Sequence, residues 1–125
     1  MTAGRVLVVE DQEHLLRIFC NLLHLFGYET ITAETGEEAL QKATGAVPDL
    51  ILMDLNLPDI SGDKVAVQIK QDPRVADVPI IGCSAFSVGD EKEKALQAGM
   101  VDYLQKPISS SQLRESVKRF IRKPR

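Results

Sequence analysis

Two apolar runs of this chain end on acids. "RVLVVED" closes on Glu10 and Asp11, and "DLILMD" closes on Asp54. A strand buried on both faces reads as a continuous apolar run, so an acid at its carboxyl end sits at the rim of a sheet. In open parallel sheets that rim is where functional groups collect, near the point at which strand order reverses. If the first and third runs are neighbouring strands, three carboxylates meet there. At an effective dielectric of about 20, two unit charges about 4 Å apart repel by about 4 kcal/mol, so such a cluster must hold a cation or take up a proton. Oxygen donors without a soft ligand select a hard ion. Mg2+, which keeps several of its waters, suits a partly open carboxylate site, with Mn2+ as the alternative.

Two further runs bring groups to the same rim. The fifth delivers "QKPIS", placing Lys106 where it can balance the acids or grip an anion, and Pro107 behind it stands between a strand end and a helix start, a place for a cis turn. The fourth ends in Cys83, Ser84 and Ala85 and adds one hydroxyl. Taken singly, these residues have plainer readings. Asp11 ahead of "QEHLL" reads as a helix N-cap, Ser84 as another, and Tyr103 in "DYLQ" as a half-buried strand aromatic. Cys20 and Cys83 form neither a disulfide framework nor zinc-ligand spacing, and read as buried thiols.

The elements that must position these groups are well marked. Five apolar runs, "RVLVVE" (5–10), "ETITA" (29–33), "DLILMD" (49–54), "VPIIGCS" (78–84) and "DYLQ" (102–105), alternate with five segments of helical period. That alternation is the signature of βα units and a parallel sheet covered on both faces. The second and fifth runs are the more polar and belong at the edges. The expected architecture is a doubly wound (βα)5 α/β sandwich, flavodoxin-like, with five parallel strands in the order 2-1-3-4-5. It is expected as a single domain over 1–125, with its core at about 5–122 and 123–125 as a tail or the start of a linker.

Helix boundaries follow from local chemistry. Gly27 closes the first helix, Thr35 and Glu38 have capping-box spacing, and the second helical segment is read over "TGEEALQKATG". Ser61 opens the third helix, which Asp72-Pro73 stops. The fourth runs from Ser87 to Gly99, and Ser109 with Gln112 opens the fifth, which gathers Arg119, Arg122 and Lys123 at its end. At about 100° per residue, Leu15, Phe19, Leu22 and Phe26 form the core stripe of the first helix, while Leu16, Cys20 and Leu25 widen its apolar surface. That width fits either docking of a partner helix bundle or contact with neighbouring elements, and charge at Leu16 and Cys20 is the test that separates them. His14 and His24 fall on the polar strip as solvated surface.

Composition sets the outer limits. The chain has 125 residues, 44% hydrophobic and 26% charged, with a net charge of -3. This is an ordinary globular composition and argues against direct nucleic-acid binding. No apolar run approaches the roughly 18 residues of a membrane span, and the opening "MTAGRVLVVEDQ" does not read as a signal peptide. The expected location is the cytoplasm, without a membrane association.

In order, Glu10-Asp11, "LILMDLNLPDISG", Ser84-Ala85, Tyr103 and Lys106-Pro107 resemble the response-regulator receiver domain over nearly the whole chain. In detail the sequence is similar to single-domain regulators of the cell-division type and to receivers of hybrid histidine kinases. The resemblance implies a two-component phosphoacceptor rather than an enzyme. Asp54 would take a phosphoryl group from a phosphohistidine of a histidine kinase or histidine phosphotransfer protein. Mg2+ would be held by Glu10, Asp11, Asp54 and the backbone carbonyl of Asn56, and Lys106 would pair with a phosphoryl oxygen. Ser84 and Tyr103 would switch the surface of the fourth helix, fifth strand and fifth helix toward a downstream protein target. Serine stands at 84 where threonine is commoner in the family. Phe86 is expected to screen the phosphoryl group from water, which dephosphorylation of Phe86→Glu against the parent chain would test. A phosphohydrolase of the haloacid-dehalogenase type would need a second acid where Asn56 stands, a flavodoxin relative would need a hydroxyl-rich loop in place of "EDQEH", and a degenerate receiver would lack one of the key groups.

Overall fold

The computed structural model describes residues 3–85 and 90–122. The order of elements is β1 (Arg5–Val9), α1 (Glu13–Leu25), β2 (Glu29–Ala33), α2 (Gly36–Ala46), β3 (Leu50–Asp54), α3 (Gly62–Gln71), β4 (Ile80–Ser84), α4 (Glu91–Gln97), β5 (Asp102–Gln105) and α5 (Ser110–Phe120). The five strands form one parallel sheet in the order β2-β1-β3-β4-β5, as the alternation of polar and apolar runs predicts. Order reverses between β1 and β3, which pair with Val6 beside Leu50 and Val9 beside Met53. The ends of these two strands therefore lie side by side.

Because successive strand residues point to opposite faces, each central strand feeds two cores. Leu7, Val9, Ile51 and Met53 face the layer containing Ala39, Ala43, Val65, Ile69 and Ala95, on α2, α3 and α4. Val6, Val8, Leu50 and Leu52 face Phe19, Leu23, Leu113 and Val117, on α1 and α5. Every residue of β3 is buried, so the position of its terminal carboxylate is set by packing on both sides.

Several boundaries differ from the sequence reading for local reasons. β4 starts at Ile80, two residues late, because Val78 donates to the Val75 carbonyl in the preceding turn and Pro79 has no N–H to give a ladder. α2 runs through Gly45 and ends at Val47, whose φ of 44° is left-handed; the following Pro48 blocks a further turn. Gly27 takes φ 98° just past α1, the role its type predicts. The capping box of Ser109 and Gln112 is complete, with both reciprocal hydrogen bonds present, and Thr35 accepts from the Glu38 N–H. The described part of the fourth helix is Glu91–Gln97; its expected start at Ser87 lies outside the described residues, as do Phe86 and the tail at 123–125.

The stripe of α1 is also corrected. Leu23 is fully buried and Phe19 nearly so, whereas Leu22 is only partly covered. Leu16 and Cys20 pack against the same core. The apolar surface that α1 leaves open is at Ile18, 48% exposed, and Leu25, 80% exposed. Substitution at Leu16 or Cys20 would therefore disturb packing, and Ile18 is the position that tests docking.

Candidate functional site

The carboxyl ends of β1, β3, β4 and β5 deliver the chemistry. Glu10 follows β1 and is fully buried, Asp54 ends β3 and is 3% exposed, and Ser84 ends β4 and is fully buried. Asp11 is exposed. The N-cap position of α1 falls on Gln12, which leaves the Asp11 carboxylate beside the other two. Glu10, Asp11 and Asp54 each bring an oxygen within 4.8 Å of the others. Lys106, just past β5, reaches in: its Nζ lies 2.5 Å from Glu10 Oε1 and 3.3 Å from Asp54 Oδ2. The Lys106-Pro107 bond is cis.

Lys106 thus pairs first with Glu10, a partner the sequence did not single out. Burial pushes the Glu10 carboxyl up to about 7, with the Asp54 charge adding to the rise, while the Lys106 hydrogen bond and the Gln12 N–H pull against it. For Lys106, burial disfavours the ammonium, but the Glu10 hydrogen bond and the nearby negative charges outweigh it and hold the amine above its ordinary range. Three carboxylates against one ammonium leave excess negative charge. All donors are hard oxygens, two buried and one open to water, a set that fits a partly hydrated Mg2+. Glu10, Asp11 and Asp54 are the side chains placed to hold it.

Backbone contacts fix Asp54. Its Oδ1 accepts from the Asn56 N–H at 2.9 Å, a carboxylate reaching two residues on as in an Asx-turn. Gly62 closes the loop by donating to the Leu55 carbonyl at 3.0 Å. A Cβ on Gly62 would stand 2.2 Å from the Asp54 carbonyl oxygen, so only glycine permits the start of α3 to lie on the end of β3. Asp59 anchors the same loop from the other side, accepting from the N–H groups of Gly36 and Glu37 at 2.8 and 3.1 Å. Those are orphan donors at the start of α2, and they hold the Asp59 carboxyl below its ordinary range. Sequence reasoning missed both anchors; the "PD" pair signals a turn but not a cap 23 residues away.

The Ser84 Oγ accepts from Asn56 Nδ2 at 3.0 Å, and Tyr103 stands on the neighbouring strand, β5, beside the end of β4. Tyr103 is partly buried against the core on the α4 side. Burial raises its phenol, and the nearby Ser84 hydroxyl pulls the other way. Its half-buried position is the one the strand-aromatic reading expects. Phe86 lies outside the described residues, so its expected screening role has no geometry here.

Beside Lys106, the open part of α1 forms one wall of a cavity of about 390 Å3, lined by Leu15, Ile18 and Phe19 on one side and by Ala85, Pro107 and Ile108 on the other. It is apolar and adjoins the acidic cluster. Among the described residues, no helix is long and apolar enough to cross a membrane.

Comparison with known proteins agrees with this geometry. Residues 6–118 match the family model for the response regulator receiver domain. The chain is 39% identical over 116 residues to the polar-differentiation response regulator DivK of Brucella ovis, covering 93% of this chain and 94% of that protein. A putative response regulator from Chloroflexus aurantiacus superposes with a TM-score of 0.91 at 31% identity, covering 95% of this chain and 98% of that one. The receiver domain of a sensor histidine kinase from Pseudomonas aeruginosa, solved with a magnesium ion coordinated in its active site cleft, superposes at 0.88 with 31% identity and the same coverage.

Proposed function

Since the chain belongs to the response regulator receiver domains of two-component signalling, we propose that it is a phosphoacceptor that takes a phosphoryl group onto Asp54 from a phosphohistidine of a histidine kinase or phosphotransfer protein. The observation that carries this reading is the convergence of Glu10, Asp11 and Asp54 with the Lys106 ammonium at one rim. An Asp54 carboxylate oxygen attacks phosphorus, the N–P bond to the donor imidazole breaks, and the imidazole leaves with the bonding pair and takes up a proton. An ionised carboxylate needs no base. The difficulty is the approach of two anions, and phosphoryl transfer is catalysed mainly by positioning and charge neutralisation. Lys106 supplies one positive charge at Asp54 Oδ2. Glu10, Asp11, Asp54 and the Asn56 carbonyl would hold Mg2+, with Mn2+ as a substitute, and such an ion would supply further positive charge against the transferring oxygens.

The output step rests on Ser84 and Tyr103. The new phosphoryl oxygens are strong acceptors, and Ser84 donates to them. Tyr103, on the neighbouring strand, carries that movement to the face of α4, β5 and α5, where a downstream protein is read. The donor protein docks on the apolar cavity between α1 and Pro107-Ile108, which opens beside the acceptor. The chain works in the cytoplasm and turns over no substrate beyond its own phosphorylation and dephosphorylation. Phosphate uptake from a small phosphodonor, with and without Mg2+, tests the reading. Uptake should require Mg2+ and be lost in Asp54→Asn, and labelling that persists in that variant removes Asp54 from its role.

A further inference from the structure

Asn56 touches both the acceptor and the switch. Its backbone N–H binds Asp54 Oδ1 at 2.9 Å, and its side-chain amide binds the Ser84 hydroxyl oxygen at 3.0 Å across the gap between the ends of β3 and β4. Ser84 is fully buried, so water does not compete for that bond. A serine hydroxyl has one hydrogen and two lone pairs. Here the Asn56 amide occupies a lone pair.

A serine side chain, unlike a β-branched one, has little χ1 stiffness of its own, so its rotamer is set by its partners. From this geometry we infer that the Asn56 side chain is a positioning residue that latches Ser84 in the unphosphorylated state, holding its hydroxyl away from the position in which it would donate to a phosphoryl group on Asp54. The inference rests on the phosphoacceptor reading and deepens it, since the residue that steadies the Asp54 carboxylate through its backbone also restrains the switch through its amide. For Ser84 to move toward a phosphoryl group on Asp54, the Asn56 bond must break. A net hydrogen bond of ordinary strength shifts such an equilibrium by about two- to tenfold.

The test uses beryllofluoride with Mg2+ as a phosphoryl mimic, with affinity read from intrinsic tyrosine fluorescence; the chain has two tyrosines and no tryptophan. Asn56→Ala should bind the mimic about two- to tenfold more tightly than the parent. In a Ser84→Ala background the same change should have no such effect, because there is no hydroxyl left to release. As a readout that a merely structural role would not move, the 19F resonance of fluorotyrosine at Tyr103, assigned with Tyr28→Phe, should shift in Asn56→Ala without any mimic present and stay put when Ser84 is already alanine. Unchanged or weaker binding in Asn56→Ala, or an equal gain in both backgrounds, overturns the latch while leaving the phosphoacceptor reading intact. A parent chain that binds no beryllofluoride in the presence of Mg2+ overturns both.

Discussion

Replacing Gly62 by alanine should unseat the Asp54 carboxylate through backbone contact alone. The added methyl would lie 2.2 Å from the Asp54 carbonyl oxygen and 2.9 Å from Leu55 Cα. Neither obstacle is a flexible side chain, so the start of α3 and the end of β3 must part by about 1 Å, an overpacking strain at the upper end of the usual 1–3 kcal/mol. The gain in helix propensity from Gly to Ala, about 0.5–1 kcal/mol in a helix interior, offsets part of this and is smaller at the first helical position. A net loss of about 2 kcal/mol remains, or about 8 °C in Tm for a domain of this size. Urea unfolding followed by circular dichroism measures it. Gly45→Ala is the matched control: nothing lies within 4 Å of its Cβ position, and α2 should gain about 0.5–1 kcal/mol. Because Asp54 itself moves, Mg2+-dependent phosphate uptake should also slow in Gly62→Ala but not in Gly45→Ala. If Gly62→Ala is as stable as the parent to within about 0.5 kcal/mol and takes up phosphate normally, the close approach does not position the Asp54 carboxylate.

Lys106→Met leaves the buried carboxylates of Glu10 and Asp54 without the ammonium that binds both. In metal-free buffer at pH 8 it should cost about 3–5 kcal/mol, and the stabilisation conferred by saturating Mg2+ should be larger than in the parent; equal Mg2+ gains would argue that Lys106 and the metal do not neutralise the same charges. The Asp59 carboxyl is held below its ordinary value of 3.8 by the N–H groups of α2, so its contribution to stability is present above that value and disappears as pH falls through the lowered one. The stability gap between the parent and Asp59→Asn should accordingly be constant from neutrality to about pH 4 and close in stronger acid, whereas a gap that persists unchanged at low pH would show that the carboxylate charge is not what holds the loop. Leu23→Ala should destabilise by about 3 kcal/mol and Leu22→Ala by less than about 1 kcal/mol, a contrast that chemical denaturation of the two variants would reverse if the sequence-based stripe of α1 were right.

The sequence by itself determined the sheet and which side chains gather at its rim. Strand interiors and edges are legible because burial on two faces demands an unbroken apolar run, as in Leu50–Asp54, and edge strands such as Glu29–Ala33 do not. From the order of the strands follows the gathering of Glu10, Asp11, Asp54, Ser84 and Lys106 at one rim, since the ends of β1, β3, β4 and β5 place them there. What the tertiary structure alone decided is which of these touch. Lys106 lies closer to Glu10 than to Asp54, at 2.5 against 3.3 Å. Asn56 reaches Ser84 across 28 residues of chain, and Asp59 caps a helix 23 residues upstream. The need for glycine at 62 arises where two backbones from different elements meet. Local periodicity and capping act over a few residues, so they fix elements and their ends. Pairings between strand ends and loops depend on how the packed layers bring distant segments together, and no short-range pattern encodes those distances.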